Sequence, residues 1–123
     1  MKGKSNMIRK ANIVKVEGLA GGKGTAELHH IVSSEELCGA GRMYAKVVLE
    51  PGASVGWHRH TAGETEPYYV LSGSGIFTDD DGTKTEVGCG DCCIIKAGQC
   101  HSIENNSETE NFVFMALIHN VLQ

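Results

Sequence analysis

Short apolar runs separated by glycine-rich turns make up most of the chain. The runs are rich in Val, Ile, Thr, Tyr and Phe, and none sustains an apolar period of 3.6 residues, so the pattern predicts β-strands rather than helices. Strands this short and this regularly spaced are typical of an all-β sandwich or barrel. The predicted strands are residues 12–17, 25–32, 43–50, 55–60, 67–71, 75–79, 83–87, 91–95, 101–104 and 112–119.

Turn residues at the ends of the runs predict one clear hairpin. Asp81-Gly82 stands between two predicted strands, and this pair tolerates the positive φ angles of a tight turn. The acidic run 79–81 is therefore interpreted as a solvated hairpin tip rather than a cation site. Helical signals are confined to a single turn at residues 33–37, which Ser33 could cap and Gly39 would end.

A glycine-rich segment at residues 18–24 has a superficial likeness to a phosphate-binding loop. Such a loop needs a leading glycine and a Ser or Thr after its lysine. Here Glu17 occupies the leading position and Gly24 follows Lys23. The segment is predicted to be a flexible surface loop instead.

Composition and charge narrow the possible functions. With 123 residues, 41% of them hydrophobic and 21% charged, the chain is expected to form one globular domain, residues 1–123, with a mobile tail at residues 1–10. A net charge of −4 argues against nucleic-acid binding, which needs a concentrated basic surface. No apolar run approaches the roughly 18 residues of a membrane span, and none has the form of a signal peptide. A cytoplasmic protein without nucleic-acid or membrane partners is expected.

The cysteines favour a reducing compartment, because their number, five, is odd and four of them lie between positions 89 and 100. Cys89 and Cys92 form a C-x-x-C, but the helix start of a thioredoxin-like site and the second C-x-x-C of a zinc site are missing. Cys92 and Cys93 are predicted to begin a buried strand as small hydrophobic residues. Cys100 is predicted to point away from its neighbour, His101. A redox or metal role for these thiols stays an alternative.

Two histidines form the start of a candidate metal site. His58 and His60 are two positions apart on a predicted strand, so their side chains leave the same face with Cα atoms roughly 6.6 Å apart. Both imidazoles can then bind one ion at about 2.0–2.1 Å. Trp57 and Arg59 alternate with them and are predicted to face away from the site.

Two further ligands are predicted from the neighbouring runs. Glu66 opens the next apolar run, with Tyr68 on the same face, and an inward carboxylate there needs a partner such as a metal. His101 follows a strand and a glycine turn, and a barrel can bring it beside His58 and His60. The other histidines lack this context and are interpreted as strand-surface or pocket-lining residues: His29, His30 and His119.

Two stretches of the chain resemble the two motifs of the cupin family. The first motif runs glycine, five residues, His-x-His, a short gap, glutamate, six residues and glycine. The second consists of two glycines, a histidine and an asparagine at fixed spacing. The matching residues are Gly52, His58, His60, Glu66 and Gly73 in the first motif, and Gly90, Gly98, His101 and Asn105 in the second.

Two positions depart from the family pattern. Cupins usually have three or four residues between His-x-His and the glutamate, whereas here Glu64 follows after three and Glu66 after five. Only Glu66 has the six-residue step to Gly73, and strand register is harder to shift than loop length, so Glu66 is the preferred ligand and Glu64 the alternative. Lys96 stands where the family commonly has proline, which removes a fixed φ angle from that turn.

The resemblance implies a double-stranded β-helix, or jelly roll, of two antiparallel sheets. It also implies that His58, His60, Glu66 and His101 hold one divalent transition metal. Three imidazoles and a carboxylate suit Fe, Mn, Ni, Co, Cu or Zn. In a six-coordinate site two positions stay open for water or substrate. Small cupins are often homodimers, so a homodimer is expected.

Function is less constrained than fold, because cupins include many enzymes and binding proteins. The leading hypothesis is a metal-dependent enzyme of the dioxygenase or isomerase type that acts on a small organic molecule. Tyr68 is the predicted pocket residue, whose hydroxyl could orient a substrate. The alternative is a non-catalytic module that binds a sugar or an organic acid for sensing.

Overall fold

The computed structural model describes residues 7–121, so residues 1–6 of the predicted mobile tail lie outside the described residues. Every predicted strand occurs. The largest difference is at the fifth strand, which begins at Glu64 rather than at residue 67, because Glu64 and Thr65 pair with the last strand. The strands are β1 (Asn12–Glu17), β2 (Thr25–Val32), β3 (Gly41–Leu49), β4 (Ser54–Arg59), β5 (Glu64–Ser72), β6 (Ser74–Thr78), β7 (Lys84–Gly88), β8 (Cys92–Ile95), β9 (Cys100–Glu104) and β10 (Phe112–Asn120).

The strands form two antiparallel sheets, in the orders β1-β2-β3-β10-β5-β8 and β4-β9-β6-β7. Along β10, buried and half-buried residues alternate, which directs Phe112 and Phe114 into the core. Ile103 of the smaller sheet belongs to the same core. The predicted jelly roll of two antiparallel sheets is confirmed. Residues 7–121 contain no α-helix, and no helix among them is long and apolar enough to cross a membrane.

The glycine-rich segment 18–24 packs against the barrel. Leu19–Gly21 forms a short 3-10 turn, and Leu19 contacts the hydrophobic core. The turn lies so close to β4 that a Cβ atom on Gly56 would be 2.3 Å from the carbonyl oxygen of Ala20. The segment lies at the surface, as predicted, but it packs against β4 rather than standing free of the barrel. The sequence pattern did not predict this contact, because it joins two glycine-containing segments that are distant in sequence.

Two predicted turns are confirmed. At residues 33–37 the Ser33 hydroxyl accepts a hydrogen bond from the Glu36 amide at 3.1 Å, and Glu36 Oε1 accepts one from the Ser33 amide at 2.8 Å, as in a helix-capping box. At the β6–β7 hairpin, Asp81 Oδ1 accepts a hydrogen bond from the Thr83 amide at 3.0 Å. Asp80 Oδ1 accepts one from the amide of Cys100, which ties the hairpin tip to β9.

All five cysteines are free thiols. Cys93 is buried, as predicted, whereas Cys92 is exposed, because successive side chains of β8 point to opposite faces of the sheet. Burial, with Asp91 nearby, raises the pKa of Cys93 to about 11, so this thiol is protonated and unreactive at neutral pH. Cys89 is exposed, and Cys100 is half-buried.

Candidate metal centre

A β-bulge in β4 places the first two candidate ligands. Val55 lies opposite Ile103 and His58 lies opposite His101, so three steps along β4 match two steps along β9. The extra residue rotates the strand. His58 therefore points inward like the buried Val55, although the two residues are an odd number of positions, three, apart. Trp57, 51% exposed, faces away from the site as predicted.

The structure brings all four predicted ligands together: His58 from β4, His60 from the residue after β4, Glu66 from β5 and His101 from β9. His60, Glu66 and His101 are buried and His58 is half-buried. His60 Nε2 lies 2.7 Å from Glu66 Oε1 and 3.1 Å from His101 Nε2, and His101 Nε2 lies 3.5 Å from Glu66 Oε1. One donor atom from each of the four residues lies within 4.8 Å of all the others.

The donor set fits a transition-metal ion. Metal–nitrogen bonds of about 2.0–2.1 Å bring ligand atoms to within roughly 4.2 Å of one another, so only small shifts are needed. His58 Nδ1 is 2.7 Å from the carbonyl oxygen of Gly56, which orients the ring with Nε2 free for a metal. The Nδ1 atoms of His60 and His101 are buried and have no hydrogen-bond partner, which leaves that side of both rings without an anchor.

The charge states also suit metal binding, because metals bind carboxylates and neutral imidazoles. Burial by itself raises the pKa of Glu66, but hydrogen bonds from His101 and His60 outweigh it, and the pKa of Glu66 is lowered overall. Burial lowers the pKa of His101, although Glu66 opposes this shift. Near neutral pH, Glu66 is therefore ionised and His101 is neutral.

Three of the candidate ligands, His58, His60 and Glu66, line a cavity of about 290 Å³ between the two sheets. This is close to the lower end of small-molecule sites, roughly 300–1,000 Å³. Tyr68, the predicted pocket residue, lines the cavity, and its ring packs edge-on to His101 with the centroids 5.5 Å apart. Burial, together with the nearby Glu66 carboxylate, raises the pKa of Tyr68 well above its usual value. Apolar side chains form most of the remaining wall, among them Leu28, Val47, Val55, Phe114 and Ile118.

Glu64, the alternative ligand, lies outside the cluster of four. Its Oε2 accepts a hydrogen bond of 2.6 Å from Arg42 Nε, and its Oε1 is 3.9 Å from His60 Nδ1. That nitrogen is on the opposite side of the imidazole ring from the one that faces Glu66. The geometry therefore favours Glu66 as the ligand, in agreement with the motif spacing.

Arg42 and two residues of the 3-10 turn, Leu19 and Ala20, were not predicted as site residues, yet all three line the cavity. Arg42 stands at the start of β3, in a segment without a motif, and only the fold brings it to the site. Among the remaining histidines, His29 Nε2 is 2.9 Å from Glu27 Oε1, away from the four ligands. His30 lines a separate surface cleft, and His119 is half-buried near the end of β10.

Comparison with known proteins identifies the family. The chain is 38% identical over 118 residues to the oxalate-binding protein of Thermotoga maritima, covering 94% of this chain and 95% of that protein. A solved structure from Thermotoga maritima, described as a predicted oxalate decarboxylase, superposes with a TM-score of 0.84 at 38% identity, covering 90% of this chain and 94% of the other. A cupin-like protein from the same organism shares the fold, with a TM-score of 0.69 at 21% identity, and the match covers 94% and 80% of the two chains. Residues 45–118 match the family described as Cupin domain. The chain therefore belongs to the cupin family.

Proposed function

We propose that this chain holds one divalent transition metal through His58, His60, Glu66 and His101, and that the metal binds a small dicarboxylate such as oxalate. The observation that carries the proposal is the cluster of four donor atoms within 4.8 Å of one another, opening into a largely apolar cavity. Four protein ligands leave two positions of a six-coordinate ion for an incoming molecule.

The choice of a dicarboxylate has two supports. One is the relative named an oxalate-binding protein, which matches 94% of this chain at 38% identity. The other is chemical: oxalate carries carboxylate oxygens on adjacent carbons, so it can occupy two neighbouring positions on one ion. The metal would supply positive charge for the bound dianion, while Arg42, the cation among the described residues that line the cavity, is already paired with Glu64.

Binding without turnover is the better-supported form of this function. Apart from the metal ligands, the ionisable side chains among the described lining residues are Arg42 and Tyr68. The described part of the cavity wall thus offers no carboxylate beyond Glu66 to act as a general base, and Glu66 is committed to the metal. This composition suits an organic-acid binding module.

Catalysis at the same metal, of the dioxygenase or isomerase type, is the second candidate. The observation that favours it is Tyr68, which lines the cavity with its ring against His101 and carries a hydroxyl group that can donate a proton. Reactions that move a proton on or off carbon, such as isomerisation or the decarboxylation suggested by the related solved structure, can use such a donor.

Both candidates are tested on the same purified protein. Metal-free protein is loaded with Mn(II), Fe(II), Co(II), Ni(II), Cu(II) or Zn(II), and oxalate binding is measured by calorimetry, with acetate and a neutral sugar as controls. Oxalate should bind only to the metal-loaded protein, and binding that is independent of metal would contradict the proposal. Recovery of intact ¹³C-labelled oxalate after aerobic and anaerobic incubation supports binding of oxalate without its turnover, whereas formate, CO₂ or another product supports the enzyme.

A homodimer, expected from the family resemblance, is also part of the proposal. The outer face of the six-stranded sheet carries an apolar surface formed by Pro67, Tyr69, Ile94, Met115 and Leu117. Tyr69 and Ile94 are 48% and 54% exposed. Exposed apolar surfaces of this kind commonly form protein interfaces, and a second copy of the chain is the proposed occupant.

A further inference from the structure

His60 and Glu64 face each other across a gap that neither residue fills. His60 Nδ1 is 3.9 Å from Glu64 Oε1, which is too far for a hydrogen bond. Both atoms are buried and have no hydrogen-bond partner. A buried donor or acceptor without a partner destabilises the folded state, so the arrangement is unfavourable unless another state of the site closes the gap.

Arg42 holds Glu64 in this position. Its Nε donates a hydrogen bond of 2.6 Å to Glu64 Oε2, while the Glu64 side chain is only 13% exposed. Arg42 is on β3 and Glu64 is on β5, and both strands flank β10, so the ion pair bridges the sheet at one end of the cavity. The Glu64 amide also donates to the carbonyl of Thr61, which fixes the short turn that joins His60 to Glu64.

The three histidines of the cluster differ in how their rings are held. The His58 ring is oriented by the carbonyl of Gly56, whereas His101 Nδ1 has no partner. His60 is the histidine with a carboxylate close to Nδ1, at 3.9 Å. Histidines that bind metals through one ring nitrogen almost always donate the other N–H to a carboxylate, a carbonyl or water, which fixes the tautomer and raises the basicity of the ligand.

We propose that Glu64 is a positioning residue for the metal ligand His60, and that Arg42 fixes Glu64 for this role. When Nε2 of His60 binds the metal, Nδ1 carries the proton and donates a hydrogen bond to Glu64 Oε1, and a shift of about 1 Å closes the gap to hydrogen-bond distance. The inference rests on the proposed metal binding. It gives separate roles to the two glutamates that the motif spacing left as alternatives: Glu66 is a metal ligand, and Glu64 supports the ligand His60.

The test compares Glu64→Leu, Glu64→Gln and the wild type, with Glu86→Leu on exposed β7 as matched control. Metal Kd is measured by competition with a chelator, and the Co(II) visible spectrum reports the ligand geometry. Glu64→Leu should weaken metal binding about 10–100-fold and alter the Co(II) spectrum, the usual effect of losing such a partner. Glu64→Gln keeps one oxygen acceptor, which can serve Nδ1 or Arg42 but not both, so its affinity should lie between those of the wild type and Glu64→Leu, whereas Glu86→Leu should match the wild type.

Thermal melting of the metal-free variants shows whether the Glu64→Leu substitution affects folding itself. The inference requires the Glu64→Leu protein to remain folded and yet bind metal weakly. The ring ¹⁵N signals of His60 in the zinc-loaded wild type should show the proton on Nδ1. Equal metal affinity and an identical Co(II) spectrum for Glu64→Leu and wild type would overturn the inference and leave the proposed function intact. A wild type that binds none of the tested metals would overturn both.

Discussion

His58 and His101 lie opposite each other on the paired strands β4 and β9, and the centroids of their imidazole rings are 4.5 Å apart. This pairing is the point at which the two cupin motifs meet. It exists because β4 gains one residue in the bulge between Val55 and His58. A metal site that depends on this pair should be lost when either ring is removed.

Replacement of His101 by alanine should reduce the metal content of the purified protein from stoichiometric to background. The substitution removes one of four donors and leaves Glu66 with fewer partners in a buried site. Elemental analysis checks the result, and His29→Ala, which removes a histidine outside the cluster, serves as control. Full metal content in the His101→Ala protein would rule out the proposed ligand set.

Glu66→Gln should weaken metal retention far more than Glu64→Gln. A glutamine at position 66 lacks the negative charge that binds the metal, whereas a glutamine at position 64 keeps an oxygen acceptor for His60. Chelator-dependent melting measures the difference, because a bound ion stabilises the folded state by RT ln(1 + [L]/Kd). The reverse order would identify Glu64 as the ligand.

The metal-free protein should lose stability as the pH falls below neutrality. The pKa of His101 is lowered by burial, so the unfolded chain takes up a proton near pH 6.5 that the folded chain resists. The pKa of Glu66 is also lowered overall, since hydrogen bonds from His101 and His60 outweigh the opposing effect of burial. The ionised Glu66 carboxylate therefore stabilises the folded protein at pH values above its ordinary pKa of 4.5. This stabilisation is lost as the pH falls through the lowered pKa of the folded state.

Both pKa shifts make the folded protein less stable on acidification, because the unfolded state binds more protons than the folded state wherever His101 or Glu66 titrates. Urea unfolding midpoints of metal-free protein should therefore decrease from neutral pH downward. His101→Gln should flatten the first part of this decrease, just below the ordinary histidine pKa of 6.5. Midpoints that rise or stay constant on acidification would contradict the assigned protonation states.

Gly56→Ala should destabilise the protein by about 1–3 kcal/mol, the usual cost of forcing extra atoms into a well-packed region. The new Cβ would lie 2.3 Å from the carbonyl oxygen of Ala20 and would displace the turn that lines the cavity. Gly63→Ala is the matched control, since the nearest atom there is 4.0 Å away. Urea denaturation measures both variants, and equal effects would show that the turn at residues 19–21 is not tightly packed.

Ile94→Lys should convert the proposed homodimer into a monomer, because a charge would enter the apolar outer surface of the six-stranded sheet. Light scattering coupled to size-exclusion chromatography gives the mass of each species. Trp57→Lys tests the opposite sheet, where this side chain is 51% exposed. A dimer that survives Ile94→Lys but not Trp57→Lys would place the interface on the smaller sheet.

Local sequence patterns determined most of the strands and the identity of the clustered residues. Alternation along a strand puts His58 and His60 on one face, and it puts Tyr68 with Glu66, without any knowledge of the neighbouring strands. Turn chemistry at Asp81-Gly82 likewise predicts the hairpin between β6 and β7. These features were predictable because the direction of a side chain on a strand and the geometry of a tight turn depend on residues only a few positions away in the sequence.

Tertiary structure alone decided how those elements fit together. The bulge beside His58 is defined by the register with β9, the packing of the 19–21 turn by its contact with Gly56, and the place of Arg42 by the position of β3 in the sheet. The separate environments of Glu64 and Glu66 arise in the same way, since their partners come from different strands. Such relationships depend on contacts between residues far apart in the chain, and a pattern of neighbouring residues carries no record of them.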